Sequence, residues 1–396
     1  MPERNASLAS FEAVAVAQQF LEEISARAEE AERNRQYPQD IVDRMAKAGL
    51  FRMCNPSVFG GAECSAIEFA QTIEILAQAD AAAAWVLFIG VSSLVHLSGF
   101  EHNAAEIMLG NADTKAAGVF APHGRAVAAV ENGVEGFRLT GRWQWGSGSQ
   151  NCDWLTGGGF IVDADGQLVT SSDGEPDQRS FAMKREQVEF IDTWHVSGLA
   201  GTGSTDFSVK DLFVPANFTH DFFSPRTRPE TIHAFPKFGF LAIGIAAVAL
   251  GIARAATDEL VSFAGAKTPD GSRRRLAQKS STQRAVGEAE GQLRAARLFF
   301  YDTIEKAWNH AASNDETSVE IRRNLRLAMV HTVRTCAGVV TKMYELGGGT
   351  SVFLKSPLQR HFRDIHVVTQ HVMVAPDVYD LTGRLFLGVE TDIAML

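Results

Sequence analysis

The constraint that most narrows the fold is a hydrophobic period that changes twice along the chain. From residue 8 to about 110 apolar side chains recur at helical spacing. Phe11, Val14, Ala17, Leu21 and Ile24 share one face, with Glu22, Glu23, Glu29 and Glu30 largely on others. Pro38 suits a first helical turn, and Gly49 ends the helix that follows it. Ile67–Ala77 and Ala81–Leu97 read as two more helices, the second apolar nearly all round and therefore central. Between about 113 and 218 the texture changes to short runs separated by Gly, Asn, Asp and Pro. These runs are Ala116–Ala121, Phe137–Trp145, Trp154–Val162, Phe181–Lys184 and Phe207–Val214. They predict an antiparallel barrel or sandwich, with hairpin turns at Asp163–Gly166 and Ser172–Gly174. After Pro236 the helical period returns over 237–266, 279–312, 317–346 and 362–387, with loops at Thr268–Arg275 and Gly347–Pro357. The order is an α+β arrangement: an N-terminal helical domain over 1–112, a β-domain over 113–220 and a C-terminal four-helix bundle over 221–396.

Charge and cysteine usage exclude several classes. A net charge of −10 lacks the basic patch that nucleic acid requires, although a few local arginines suffice for an anionic cofactor. Cys54, Cys64, Cys152 and Cys336 are scattered without a CxxC pair, which predicts neither zinc nor a disulfide framework and fits a reducing cytoplasm. The start of the chain carries no basic region before an apolar core, so no signal peptide is expected. The longest uncharged run, Phe238–Ala253, falls short of the roughly 18 residues of a membrane span. Its Gly and Ala content predicts a tightly packed buried helix instead.

The chemistry-bearing residues cluster in glycine-rich turns. Thr193–Pro215 begins as a loop of glycine and small hydroxyl residues and becomes a strand. Gly198, Gly201 and Gly203 allow backbone to approach a planar ligand, and Thr202, Ser204 and Thr205 add hydroxyls beside it. Gly141–Ser149 ends a strand in a turn that presents Trp145 and Ser147. The same pattern suits a plain hairpin with a core tryptophan. These two segments resemble the flavin-facing elements of the acyl-CoA dehydrogenase superfamily, and the chain is similar to that fold over essentially its whole length. The Thr-Trp-His…Gly-Thr-Gly-Ser wording is similar to its two-component flavin monooxygenases, the group D oxygenase components.

The resemblance implies roles for individual residues. Trp145 would cover the flavin ring, Ser147 would hydrogen-bond its N5 edge, and Trp194, Gly201, Thr202 and Ser204 would complete that wall. His371 follows an Arg363-Asp364 pair and stands beside Val372, where many dehydrogenases carry a catalytic glutamate. Val372 cannot abstract an α-proton. The resemblance to flavin monooxygenases puts a histidine at His371 that handles a substrate or peroxide proton, which makes it the expected general acid/base, since histidine titrates near neutrality. The alternative is a helix histidine satisfied by a backbone carbonyl. Arg273 in the Arg-Arg-Arg run matches an arginine that reaches a flavin phosphate across a subunit interface; otherwise it is a solvated loop residue. Gly347 and Gly348 match a loop that receives the far end of FAD, but Tyr344 replaces its glutamine, which favours FMN. The same glycines also suit a helix C-cap. His96, Ala121, His123 and Phe238 are candidates for a substrate pocket, His96 alternatively being a core residue.

The implied activity is oxygenation by the oxygenase component of a two-component flavin-dependent monooxygenase. It would take reduced flavin (FMNH2 rather than FADH2) and O2, form a C4a-hydroperoxyflavin, and oxidise an aromatic or heteroatom-containing small molecule. No G-x-G-x-x-G follows a strand, so a separate NAD(P)H-dependent flavin reductase would supply the flavin. A homotetramer, built as a dimer of dimers, is implied as well. Two other readings stay open: an acyl-CoA dehydrogenase-type oxidoreductase acting on a thioester, and a protein that carries flavin without catalysis.

Overall fold

The computed structural model describes residues 11–170, 174–221, 228–313, 317–394 and 396. Ser172, Asp173, Phe222 and Phe223 lie outside the described residues. The N-terminal part holds helices α1 (Ala13–Gln18), α2 (Leu21–Asn34), α3 (Gln39–Lys47), α4 (Ala66–Ala79), α5 (Ala81–Ser98) and α6 (His102–Leu109). The strands are β1 (Ala116–Glu131), β2 (Val134–Trp143), β3 (Trp154–Val162), β4 (Gln178–Lys184), β5 (Glu189–Ile191), β6 (Asp206–Pro215) and β7 (Thr219–His220). Helices then return as α7 (Thr231–Ala234), α8 (Lys237–Ala264), α9 (Ser280–Ala312), α10 (Val319–Gly347), α11 (Pro357–Val368) and α12 (Asp377–Phe386).

Local chemistry sets the helix boundaries. Ser65 and Glu68 form a reciprocal cap on α4, each side chain accepting the other's backbone N–H at 3.2 and 2.8 Å. Asp80 stops α4 and caps α5 by accepting Ala83 N–H at 2.8 Å. Helix α5 is apolar on every side because both faces are covered. Small residues let α8 pack closely: a Cβ on Gly244 would lie 2.5 Å from Phe88, and one on Gly251 would lie 2.5 Å from Ala77. Helices α5 and α8 are long and apolar enough to cross a bilayer, and 83% of the most apolar 18-residue stretch of each is buried inside the fold.

The sheet differs from an all-antiparallel barrel. Its order is β5-β6-β2-β1-β3-β4-β7, and β1 pairs with β3 in parallel while the other pairs are antiparallel. Asn132 and Gly133, both at positive φ, make the tight turn that folds β2 back on β1. A register break between Val119 and Gly124 bends β1, so its first half reaches the helices. Trp143, fully buried, donates to Gly158 O at 2.8 Å and stacks on Phe207.

The last helical segment is also not continuous. Helix α11 ends at Val368, and His371 caps a short turn over Val372–Val374 before α12 begins. Pro376 explains the break, because a helix running through it would drive its ring into the carbonyl of Val372. His371 therefore sits at a corner and not on a helix face.

Candidate active site

Two loops are zipped together at the base of the sheet. Gly146 N donates to Thr205 O at 3.1 Å, and Gly148 N donates to Thr202 O at 2.8 Å. Positive φ at Trp145, Gly148, Leu199 and Gly203 makes both chains turn sharply here. A Cβ on Gly148 would lie 3.4 Å from Val86, which seats the turn against α5.

The buried hydroxyls between the loops form a relay with a fixed direction. Thr202 Oγ1 donates its single proton to Leu199 O at 2.8 Å. In the 2.6 Å pair of Thr202 and Ser204 the donor is then Ser204. In the 2.6 Å pair of Ser204 and Ser147 the donor must be Ser147. Trp85 Nε1, an obligate donor, completes the relay at 3.1 Å from Ser147 Oγ. Ser147 has thus spent its proton and keeps one lone pair. It can accept an N–H but cannot donate to a bare nitrogen.

His371 stands on the opposite, helical side, its ring centroid 5.9 Å from that of Trp85. Its Nδ1 accepts Met373 N–H at 3.2 Å, so in the neutral ring the proton is on Nε2. Burial and then the nearby Arg326 charge push its pKa down to about 4. At neutral pH His371 presents a neutral N–H donor.

Helix α11 anchors the second loop. Asp364, 5% exposed, accepts Leu199 N–H at 2.6 Å, and Arg363 donates to Ser197 O at 2.7 Å. A Cβ on Gly198 would meet the backbone of Arg363 at 2.5 Å, so that glycine serves close packing on α11. Burial raises the Asp364 carboxyl to about 7. A raised pKa means its contribution to stability is full below the usual value near 3.8 and is lost as pH rises through 7. Asp364→Asn keeps an acceptor without a charge, and it should flatten part of the fall in thermal midpoint between pH 5 and 8. Asp364→Ala leaves the Leu199 N–H unpaired and should cost about 1–3 kcal/mol. Melting curves across pH check both; an unchanged slope in Asp364→Asn would refute this role.

The structure separates the remaining predicted residues. Trp145 is 68% exposed at φ +60°, a costly conformation for a bulky residue. Its indole projects into solvent beside the turn that carries Ser147. Trp145→Gly should leave the thermal midpoint unchanged or raised while weakening flavin binding about tenfold, from the lost stacking and burial. Equal flavin affinity in that variant would remove Trp145 from the site. Trp194 folds back on its own loop, donating to Leu199 O at 3.3 Å. Gly201 is buried against α2 and α5, where a Cβ would lie 3.0 Å from Ala31 and 3.1 Å from Ala82. Its missing side chain lets α2 and α5 pack over it.

Arg273 is exposed in the 268–275 loop. Gly347 and Gly348 end α10 beside Lys267, whose ammonium donates to Gly347 O and, at 2.6 Å, to Thr350. Lys267 follows the far end of α8, about 30 Å along that helix from Gly244 and its contact Phe88. Within one chain these three residues do not join Ser147.

A cavity of about 110 Å³ opens one helical turn beyond Trp85, between α5, α8 and the sheet. Ile89, Ser92, His96, Phe120, His220 and Phe240 are among its lining residues. This is somewhat below the roughly 150 Å³ of an apolar void that holds benzene. His96 pairs with Ser180 at 2.9 Å and its ring is 5.5 Å from that of His220. Burial keeps His96 neutral and pushes His220 down to about 4. Phe238 packs behind Phe120 at 5.5 Å. His123 is exposed on the strand and Ala121 lies at the bulge; neither lines the cavity, because the bend of β1 turns Gly118 and Phe120 inward instead.

The flavin fit rests on the turn and relay, together with Ser149 Oγ, a buried hydroxyl without a partner among the described residues. Sequence reasoning missed Trp85, Arg326 and the anchoring role of Asp364. Only Trp85 carries a signal, as the single indole on a largely apolar helix.

Comparison with known proteins gives the family and the fold. Residues 12–104 match the family described as acyl-CoA dehydrogenase, N-terminal domain, and residues 243–376 match its C-terminal domain. The chain is 35% identical to an indole-3-acetate monooxygenase of Pseudomonas putida, over 92% of this chain and 90% of the relative. It is 28% identical to the flavin-dependent monooxygenase oxygenase subunit HsaA of Rhodococcus jostii, over 89% of this chain and 91% of that one. The fold matches XiaF from Streptomyces sp. in complex with FADH2 and glycerol, with a TM-score of 0.90 at 24% identity, covering 97% of each chain.

Proposed function

The chain belongs to the acyl-CoA dehydrogenase superfamily, among its flavin-dependent monooxygenases, and on that premise we propose that the cleft between Ser147 and His371 holds reduced FMN against a small aromatic substrate. The observation that carries this reading is the direction of the hydroxyl relay. Reduced flavin bears an N–H at N5, oxidised flavin a bare nitrogen, and Ser147 is left as an acceptor only. When bound, the reduced flavin supplies the two electrons with which O2 places one oxygen atom in the substrate and releases the other as water. The protein's part is to fix the ring by Ser147 and Trp145, to exclude water with Trp85 and Phe88, and to orient the substrate through His371 Nε2–H.

The thioester reading lacks its base: Val372, 61% exposed, occupies the glutamate position. Tyr344 stacks on Phe362 at 4.5 Å, which supports FMN over FAD. A separate NAD(P)H-dependent reductase would deliver the flavin. Arg273, Gly347 and Gly348 would serve a flavin held by a neighbouring copy in a homotetramer, which accounts for their distance from Ser147. Four buried free cysteines suit the reducing cytoplasm.

The test is turnover under ¹⁸O2 with a flavin reductase and a panel of indoles, phenols and arylacetates. One labelled oxygen in the product supports the reading. Flavin reoxidation with peroxide alone, across the whole panel, would count against it.

A further inference from the structure

Arg326 is a buried cation that no acidic side chain neutralises among the described residues. It is 3% exposed on α10. Among the described residues its guanidinium has one partner, Met373 Sδ, which accepts from Nη1 at 3.5 Å, and its Nε has none. Thioether sulfur is a weak acceptor. Burial alone acts on its pKa, pushing it down to about 10, and no carboxylate opposes that effect. Even so depressed, arginine stays charged at neutral pH. A buried charge in this state is costly, and such charges are ordinarily paired.

Its position gives the cost a use. Met373 joins Arg326 to His371: its sulfur accepts from the guanidinium, and its N–H is donated to His371 Nδ1. If that side is read as the substrate wall, it carries two kinds of donor, the guanidinium and the His371 Nε2–H, with no acidic partner for either among the described residues. Trp85 links this wall to Ser147, through its ring contact with His371 and its N–H. A neutral guest would leave Arg326 unpaired. An anionic oxygen would pair with both donors.

We propose that Arg326, with His371 Nε2–H, binds an anionic oxygen of the substrate, a side-chain carboxylate or an ionised ring hydroxyl, on the helical side of the cleft. The proposal rests on the reading of that cleft as the oxygenation site. It makes Arg326 a specificity residue selected against stability, because replacing an unpaired buried charge by an apolar side chain of similar volume is often neutral or stabilising.

The test uses the full protein with reduced FMN under nitrogen, so it needs no turnover. Dissociation constants are measured for indole-3-acetate and its neutral amide, and the visible absorbance of bound 4-nitrophenol is followed across pH. The wild type should bind the acid at least tenfold tighter than the amide if the carboxylate is the ligand. It should ionise bound nitrophenol at least one pH unit early if the ring oxygen is. Arg326→Met should abolish whichever effect appears, with an unchanged or raised thermal midpoint, and Arg326→Lys should keep part of it. Neither effect in the wild type, or either one intact in Arg326→Met, would overturn the proposal. Anion selectivity without ¹⁸O incorporation would instead sink the oxygenase reading and leave Arg326 as an anion site.

Discussion

His371→Ala is expected to lower product formation by roughly 10²–10⁴-fold, the range for loss of a positioned proton donor or acceptor. Flavin binding and the fold should change little. His371 sits at a corner between α11 and α12, and its side chain's one hydrogen bond among the described residues is accepted from Met373 N–H, on the same short turn. With pKa near 4, it is neutral across the working range, so the loss should not depend on pH between 6 and 8. Because this pKa is lowered, the ring's contribution to stability is present above about 6.5 and is lost as pH falls through 4. Steady-state product assays with oxygen uptake measured in parallel read the effect. An alanine variant that makes product at the normal rate would show that substrate is oriented by other groups. His371→Asn, which retains a donor, should recover part of the activity.

Ser147→Ala is expected to uncouple the reaction. Oxygen and reduced flavin would still be consumed, but most of the oxygen would leave as hydrogen peroxide. The loss of one preorganised hydrogen bond at a reacting centre corresponds to roughly 10²–10³ in rate. Ser204→Ala gives an informative contrast. Without Ser204, Ser147 regains a free proton and can donate to a bare N5, so the preference for reduced over oxidised flavin should shrink. Peroxide yield per flavin consumed, with the two flavin affinities, checks this. A fully coupled Ser147→Ala enzyme would contradict the relay argument.

Much of this was legible in the chain because the signals were local. The period changes located the helical and β parts, and the Asn-Gly turn that folds β1 onto β2 is written in two residues. The loops carrying Ser147, Thr202 and Ser204 were recognisable as glycine- and hydroxyl-rich. What was not legible depends on long-range packing. The parallel pairing of β1 with β3 leaves no mark in alternation. The outward turn of His123 follows from a bulge that only the sheet register reveals. Gly201 has the composition of a ligand loop, yet two helices close over it. Arg326 has helical spacing like any other residue of α10, and its importance lies in a burial that sequence does not express. The break at 369–376 was available from Pro376 and shows how one proline outweighs an amphipathic pattern.

The Ser147 turn is expected to receive reduced flavin as an N–H donor. Anaerobic titration with reduced FMN carrying ¹⁵N at N5 measures this directly by NMR. Reduced FMN should bind at least tenfold tighter than oxidised FMN, with an N5–H signal shifted by a protein hydrogen bond that Ser147→Ala removes. Equal affinity for the two redox states, or an N5 signal indifferent to that substitution, would contradict it.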